Sequence, residues 1–198
     1  MIKFLRHFPD VQFSTNLNIN NATTHLLVDD RETHLHCTIT KKIVQAAVRR
    51  HIFILSIRWL HECLKVNRFV DEHPYEIRTD SHTALRLSAQ QFSNTNQFIF
   101  PADSPYLYAF AIECRQCQGS INRSELIELI HLTGAQLFEN EQAVDILIVL
   151  CDTNEKNLSK LKEKYAEAPA SSIKFVTSDF LLKSIIKFEL QDLEKYSL

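Results

Sequence analysis

Glycine is nearly missing from this chain: of 198 residues, only Gly119 and Gly134 are glycine. Loops that press the backbone against phosphate in Walker or dinucleotide-binding sites need several glycines close together, because only glycine lets the chain pass that near a ligand. Nucleotide binding of those two kinds is excluded. No apolar run approaches the roughly 18–20 residues that a membrane span needs. The five cysteines, Cys37, Cys63, Cys114, Cys117 and Cys151, are odd in number and scattered, and no signal peptide opens the chain. They read as reduced thiols of the cytosol or nucleus. A nucleophile elbow, an HExxH helix and a paired-acid signature are also missing, so no catalytic residue is assigned.

What is present suits ordinary globular structure, with 45% hydrophobic and 23% charged residues and room for one large or two small domains. The formal charge of −2 argues against a protein whose main affinity is an electrostatic grip on nucleic acid. Residues 1–100 hold 12 Lys/Arg against 9 Asp/Glu, net +3, whereas residues 101–198 hold 10 against 15, net −5. An anion site is therefore better sought in the first half.

Residues 24–28 (Thr-His-Leu-Leu-Val) form a short apolar run ended by Asp29 and Asp30, as in a buried strand. Thr38 or Thr40 can cap a helix over residues 41–50, residues 52–55 read as a second strand, and Ser56 caps a helix carrying Trp59, Leu60, Cys63 and Leu64 on one face. Strands alternating with helices imply βαβ units, a parallel sheet and the α/β class. Residues 80–104 read as a linker between domains at 1–79 and 105–198, with a short helix around 84–91. Beyond it come strands over 106–112, 136–138, 145–150 and 173–176 and helices over 124–133 and 154–165. A final helix is opened by Thr177 or Ser178. Gly134 stands where a helix end calls for positive φ.

The two halves can be laid on each other. A shift of 121 residues puts Trp59 on Phe180, Leu60 on Leu181, Cys63 on Ser184, Leu64 on Ile185, Phe69 on Leu190, Tyr75 on Tyr196 and Ile77 on Leu198. The chain reads as a tandem repeat of one fold.

Together, Thr-Thr-His-Leu-Leu-Val28, the Thr40-x-Lys42 helix start, Trp59-Leu-x-x-Cys63 and Asp71-Glu-His-Pro-Tyr-Glu-Ile77 resemble a BRCT repeat. The second copy ends in Phe180-Leu-Leu-x-Ser184 and Leu193-Glu-Lys-Tyr-Ser-Leu198. The resemblance implies two repeats, each a four-stranded parallel sheet flanked by helices. It implies a non-enzymatic, monomeric, cofactor-free nuclear module that recognises phosphorylated DNA-repair and checkpoint proteins through phosphoserine followed, three positions on, by an aromatic residue. In such pairs phosphate is held by a Ser/Thr-Gly on the first strand and a Thr-x-Lys on the second helix. Carried over, the Thr-x-Lys falls on Thr40 and Lys42, and the apolar pocket for the aromatic residue on Val44, Ile121 and Leu182. A full-length relative carries a ubiquitin-ligase RING domain, which would lie outside this sequence.

The chain also departs from the pattern. An arginine before the threonine and its acidic partner in the last helix are replaced by Ile39 and Lys183. Residues 2–8 resemble the first helix and Val11-Gln-Phe13 the second strand, so the first strand and its Ser/Thr-Gly are expected to be lacking. A phosphate-independent scaffold that contacts a folded partner is the alternative, and direct DNA binding is disfavoured by charge. Taken alone, Thr40 and Lys42 would be a helix cap and a solvated lysine. Cys114-x-x-Cys117, even with His34, His36 and Cys37, falls short of a four-ligand zinc site, so no metal is expected. His25 reads as a hydrogen-bonded core residue, and Lys156, Lys160, Lys162 and Lys164 as a solvated face.

Overall fold

A computed structural model describes residues 2–14, 18–32, 34–78, 84–85, 98–101, 103–115, 121–139, 142–152 and 156–198. The chain divides into two compact units, residues 1–92 and 93–198.

In unit 1, α1 (Ile2–His7) precedes β1 (His25–Val28), α2 (Lys41–Val48), β2 (Phe53–Ser56) and α3 (Arg58–Val66), and a 3-10 turn spans His73–Tyr75. β1 and β2 are parallel, with His25 opposite Phe53 and Val28 opposite Ser56. The core gathers Phe4, Leu55, Trp59, Leu60 and Cys63, so α1 and α3 share one apolar face. Four rings bind that face: Phe4 lies 4.7 Å from Phe8 and 6.1 Å from Trp59, and Phe69 lies 4.5 Å from Phe8. Ring contacts of this kind add about 0.5–1.5 kcal/mol each to the burial itself. The Trp59 indole N–H, which burial would otherwise strand, donates to the Val70 carbonyl at 3.0 Å.

The expected strand at Val11–Phe13 is not formed: residues 11–14 carry no strand. The Val11 N–H instead donates to the Phe8 carbonyl at 3.2 Å, and its side chain packs on the α1–α3 core. Unit 2 supplies the physical reason. There the second strand pairs with the first and with nothing else, and among the described residues unit 1 has no first strand whose ladder Val11–Phe13 could join.

Unit 2 runs β3 (Tyr108–Ile112), α4 (Arg123–Leu132), β4 (Gln136–Leu137), β5 (Val144–Cys151), α5 (Leu158–Tyr165), β6 (Ala170–Thr177), α6 (Asp179–Lys187) and a 3-10 turn at Leu193–Tyr196. Its four strands are all parallel, in the order β4-β3-β5-β6. β5 is central and apolar on both faces, as a strand covered by helices on both sides must be. Asn122 and Glu125 form a reciprocal capping box at the start of α4, and Gly134, at φ 86°, ends it. Ile99 and Phe100, inside the span read as a linker, are buried, and the Phe100 ring meets Tyr108 and Phe110. Most of the helix expected around 84–91 lies outside the described residues.

The 121-residue repeat persists in backbone detail. α3 ends at Asn67 (φ 54°) and α6 at Phe188 (φ 51°), both left-handed, and the next N–H groups, of Arg68 and Glu189, return to the carbonyls of Cys63 and Ser184. Each pair is one repeat apart.

Candidate functional site

The start of α2 carries the two residues singled out for phosphate. Thr40 is the N-cap, extended at φ −112° and ψ 164°, and its carbonyl accepts the Val44 N–H at 3.1 Å. Its hydroxyl makes no capping bond, and the residue is exposed. Lys42 follows in the first turn, half-buried, with no hydrogen-bond or ion-pair partner among the described residues.

That arrangement runs against helix electrostatics. The first N–H groups of a helix lack intrahelical acceptors and form its positive end, where acidic side chains are favourable. Here the first turn has no acid and holds Lys41 and Lys42. An uncapped hydroxyl, an ammonium and orphan N–H groups at one helix end suit a bound anion, above all a dianion.

The loop leading into α2 is braced from a buried carboxylate. Asp30 is 1% exposed and accepts from the Ser56 hydroxyl at 2.6 Å and the Leu35 N–H at 2.9 Å, with the Arg58 Nε at 3.6 Å. Burial pushes its carboxyl up, but the bonds from Ser56 and Leu35 and the charge of Arg58 outweigh it and hold it below the ordinary 3.8. Leu35 sits at φ 56°, and its carbonyl accepts the Arg78 N–H at 2.8 Å, closing the loop. Reading Asp30 as the end of a strand missed this role. The available signal was the pairing of two strand ends: Ser56 and Asp30 close parallel neighbours at nearly one level, so their side chains can meet.

Of the residues expected to receive an aromatic side chain, Val44 is buried on α2 in unit 1, at 1% exposure, and Ile121 and Leu182 are buried in unit 2, at 4% and 3%. Ile39 is 38% exposed beside Thr40, and Lys183 is exposed on α6.

A second polar cluster lies in unit 2. Glu113, directly after β3, accepts from the Tyr165 hydroxyl at 2.5 Å and from Lys164 Nζ at 2.6 Å. Burial raises the Tyr165 phenol, and the Glu113 carboxylate raises it further. Glu113 is pushed up by burial, but its bonds from Lys164 and Tyr165 and the charges of Lys164 and Arg123 bring it below 4.5.

Among the described residues, no group of three or more His, Cys, Asp or Glu side chains is gathered for a metal. Cys117 lies outside the described residues. Cys114 is buried, and burial first and Asp30 second push the Cys37 thiol up to about 11, so it is not a thiolate at neutral pH. His25 stacks between Phe53 at 5.4 Å and Trp59 at 5.3 Å, with Glu72 at 3.6 Å.

No protein-family model matches the chain. It is 25% identical to mouse (Mus musculus) microcephalin over 94% of its length, and spans 20% of that protein. Among solved structures it resembles the BRCT5–BRCT6 domains of Brc1 from S. pombe, with a TM-score of 0.58 at 15% identity, covering 98% of this chain and 89% of that one. It also resembles Rtt107p, with a TM-score of 0.60 at 12% identity over 98% of this chain and 83% of that one. A complex of Rtt107p with a phosphorylated histone gives a TM-score of 0.53 at 12% identity over 91% of this chain and 78% of that one. The motifs at residues 72–80, 132–135 and 176–184 lead one to expect, from sequence, a likeness to the C-terminal pair of the breast cancer type 1 susceptibility protein, with microcephalin next, and the comparisons do not separate the two.

Proposed function

We propose that this chain, which has the fold of tandem BRCT repeats, is a non-enzymatic interaction module of the DNA-damage response. In this reading it acts in the nucleus and binds phosphoserine segments of repair and checkpoint proteins. Thr40 and Lys42 hold the phosphate, and Val44, Ile121 and Leu182 receive an aromatic side chain three residues further on.

One observation carries this reading. The start of α2 presents an uncapped threonine hydroxyl and an ammonium without a partner among the described residues, with no acid in the turn. A phosphoserine dianion supplies the charge that this helix end lacks, and each charge-assisted bond is worth about 1.5–3 kcal/mol. The Rtt107p complex with a phosphorylated histone supports the ligand class. The deciding experiment titrates a pSer-x-x-Phe peptide, its unphosphorylated form and its Phe→Ala form into the chain. Preference for the first supports the reading, and equal affinity for the first two overturns it.

A phosphate-independent scaffold is the second reading. Among the described residues, unit 1 has no counterpart of β3, and Ile39 and Lys183 replace an ion pair. Under that reading a folded partner binds equally well whether or not it is phosphorylated.

A further inference from the structure

The loop from Asp30 to Thr40 ends in the N-cap of α2 and is tied at its middle. Asp30 Oδ2 accepts the Leu35 N–H at 2.9 Å, and the Leu35 carbonyl accepts the Arg78 N–H at 2.8 Å. A further tie comes from α3. Arg58, at the start of that helix, sets its Nε 3.6 Å from Asp30 Oδ2 and donates from Nη1 to His34 Nδ1 at 2.5 Å. One guanidinium thus joins the end of β1, the start of α3 and the loop that leads to Thr40.

The bond from Arg58 to His34 fixes a protonation state. A guanidinium offers only N–H donors and keeps its charge, so His34 Nδ1 must be the acceptor. The ring is uncharged here, with its one proton on Nε2. A second proton would go to Nδ1, the atom that faces Arg58, and would set two donors and two positive charges against each other. The charged ring has another partner, because Asp30 Oδ2 lies 4.0 Å from the same Nδ1. His34 and Arg58 then compete for one carboxylate oxygen. The His34 side chain is 64% exposed and open to protons, whereas that of Asp30 is fully buried. The other ionisable groups of this junction are His36, which donates from Nδ1 to the His34 carbonyl, the protonated Cys37 thiol, Arg78, Glu32 and the Asp29–Arg31 pair.

We propose that Arg58 is a positioning residue for the phosphate site and that His34 is a proton-sensitive catch on it. With the ring uncharged, Arg58 holds the loop that ends in Thr40 against α3. With the ring charged, that hold is released and phosphopeptide affinity falls. Neither residue is assigned a contact with phosphate; both act through the placement of Thr40 and of the first N–H groups of α2. This assignment rests on the reading of Thr40 and Lys42 as the phosphate site.

The test compares the whole chain with His34→Asn, whose side-chain oxygen can accept from Arg58 and which does not charge. Both are followed from about pH 7.5 to about pH 5.5, the range in which an imidazole changes charge. Without ligand, amide exchange at Leu35 and Arg78 is divided by its value in His34→Asn, which removes the intrinsic dependence of exchange on pH. The ratio is expected to rise about threefold or more in acid, the scale of one exposed charge contact. With a pSer-x-x-Phe peptide, the affinity ratio cancels the second ionisation of the phosphate, common to both proteins, and is expected to fall about threefold or more. In Arg58→Ala affinity should already be reduced at about pH 7.5, and adding His34→Asn should leave its pH profile unchanged. Arg58→Lys, which keeps the charge and loses the two-point grip, replaces Arg58→Ala if that variant does not fold. Exchange profiles that coincide in the native chain and His34→Asn overturn the inference whatever the peptide does. A peptide that binds at no pH overturns the phosphate reading and this inference with it. A His34-dependent fall that survives in Arg58→Ala overturns the role of Arg58.

Discussion

Asp30 and Ser56 tie the ends of β1 and β2 together across 26 residues of sequence, the Ser56 hydroxyl donating at 2.6 Å to a carboxylate that is 1% exposed. Removing the carboxylate in Asp30→Ala strands the Leu35 N–H and the Ser56 hydroxyl, and about 3 kcal/mol of stability should be lost in urea unfolding. The native carboxyl titrates below 3.8, so its contribution is present above that value and disappears as the pH falls through the folded one. Asp30→Asn keeps one acceptor oxygen, which can take the Leu35 N–H, and sets an NH2 toward a Ser56 hydroxyl that can turn to accept, so it should lose less than Asp30→Ala and show a flatter acid limb.

Lys42→Met and Thr40→Ala should each weaken a pSer-x-x-Phe peptide by roughly tenfold to a hundredfold and leave the unphosphorylated peptide unchanged. Isothermal titration measures both. The phosphate loses its second charge near pH 6, so native affinity should fall as the pH drops through that region, and the fall should be smaller in Lys42→Met.

Replacing the peptide phenylalanine by alanine should cost about 1.5–3 kcal/mol of binding, the worth of burying that ring. With Leu182 receiving that ring, as proposed, the same peptide change should cost less in Leu182→Ala. A double-mutant cycle by titration isolates this coupling from any effect of Leu182→Ala on stability.

The Glu113–Tyr165 pair predicts a two-sided pH dependence for unit 2. Tyr165 has a raised folded pKa, so its contribution is present below the ordinary 10.0 and is lost as the pH rises above it. Glu113 has a lowered one, so its contribution is present above 4.5 and is lost as the pH falls. In Tyr165→Phe the alkaline limb of a thermal-melting profile should flatten, and the spectrophotometric titration should lose its latest-ionising tyrosine.

Gly134→Ala should destabilise the chain by more than the usual gain from stiffening its unfolded state. A Cβ there would clash with the Phe98 side chain and lie 2.7 Å from the Phe100 carbonyl oxygen, on a backbone at φ 86°. A lower melting temperature, with the helical circular dichroism retained, is the expected outcome.

Local pattern was enough to read α2, α3, the β5 run and the Gly134 turn, because capping residues, apolar spacing and glycine act over one or two turns. The likeness of the two halves was also legible, down to Trp59 on Phe180. Pairing was less so: Val11–Phe13 has strand composition but, among the described residues, no ladder partner, and composition does not supply one. Thr40 and Lys42 could be placed at a helix start from sequence, whereas the brace behind them could not. Asp30 meets Ser56 and Arg58 only after two strands align, and the left-handed Leu35 follows from that bracing rather than from any preference of leucine.

Leu35, Arg50, Asn67 and Phe188 all hold positive φ, at 51–56°. Each bears a Cβ that makes the left-handed basin about 1–2 kcal/mol less favourable than it is for glycine. The compensation lies in the denatured ensemble. A chain that makes its tight turns with side-chain-bearing residues has fewer backbone states to surrender when it folds. The strain at those four turns is thus the folded-state counterpart of a stiffer unfolded chain, and both follow from a sequence holding two glycines.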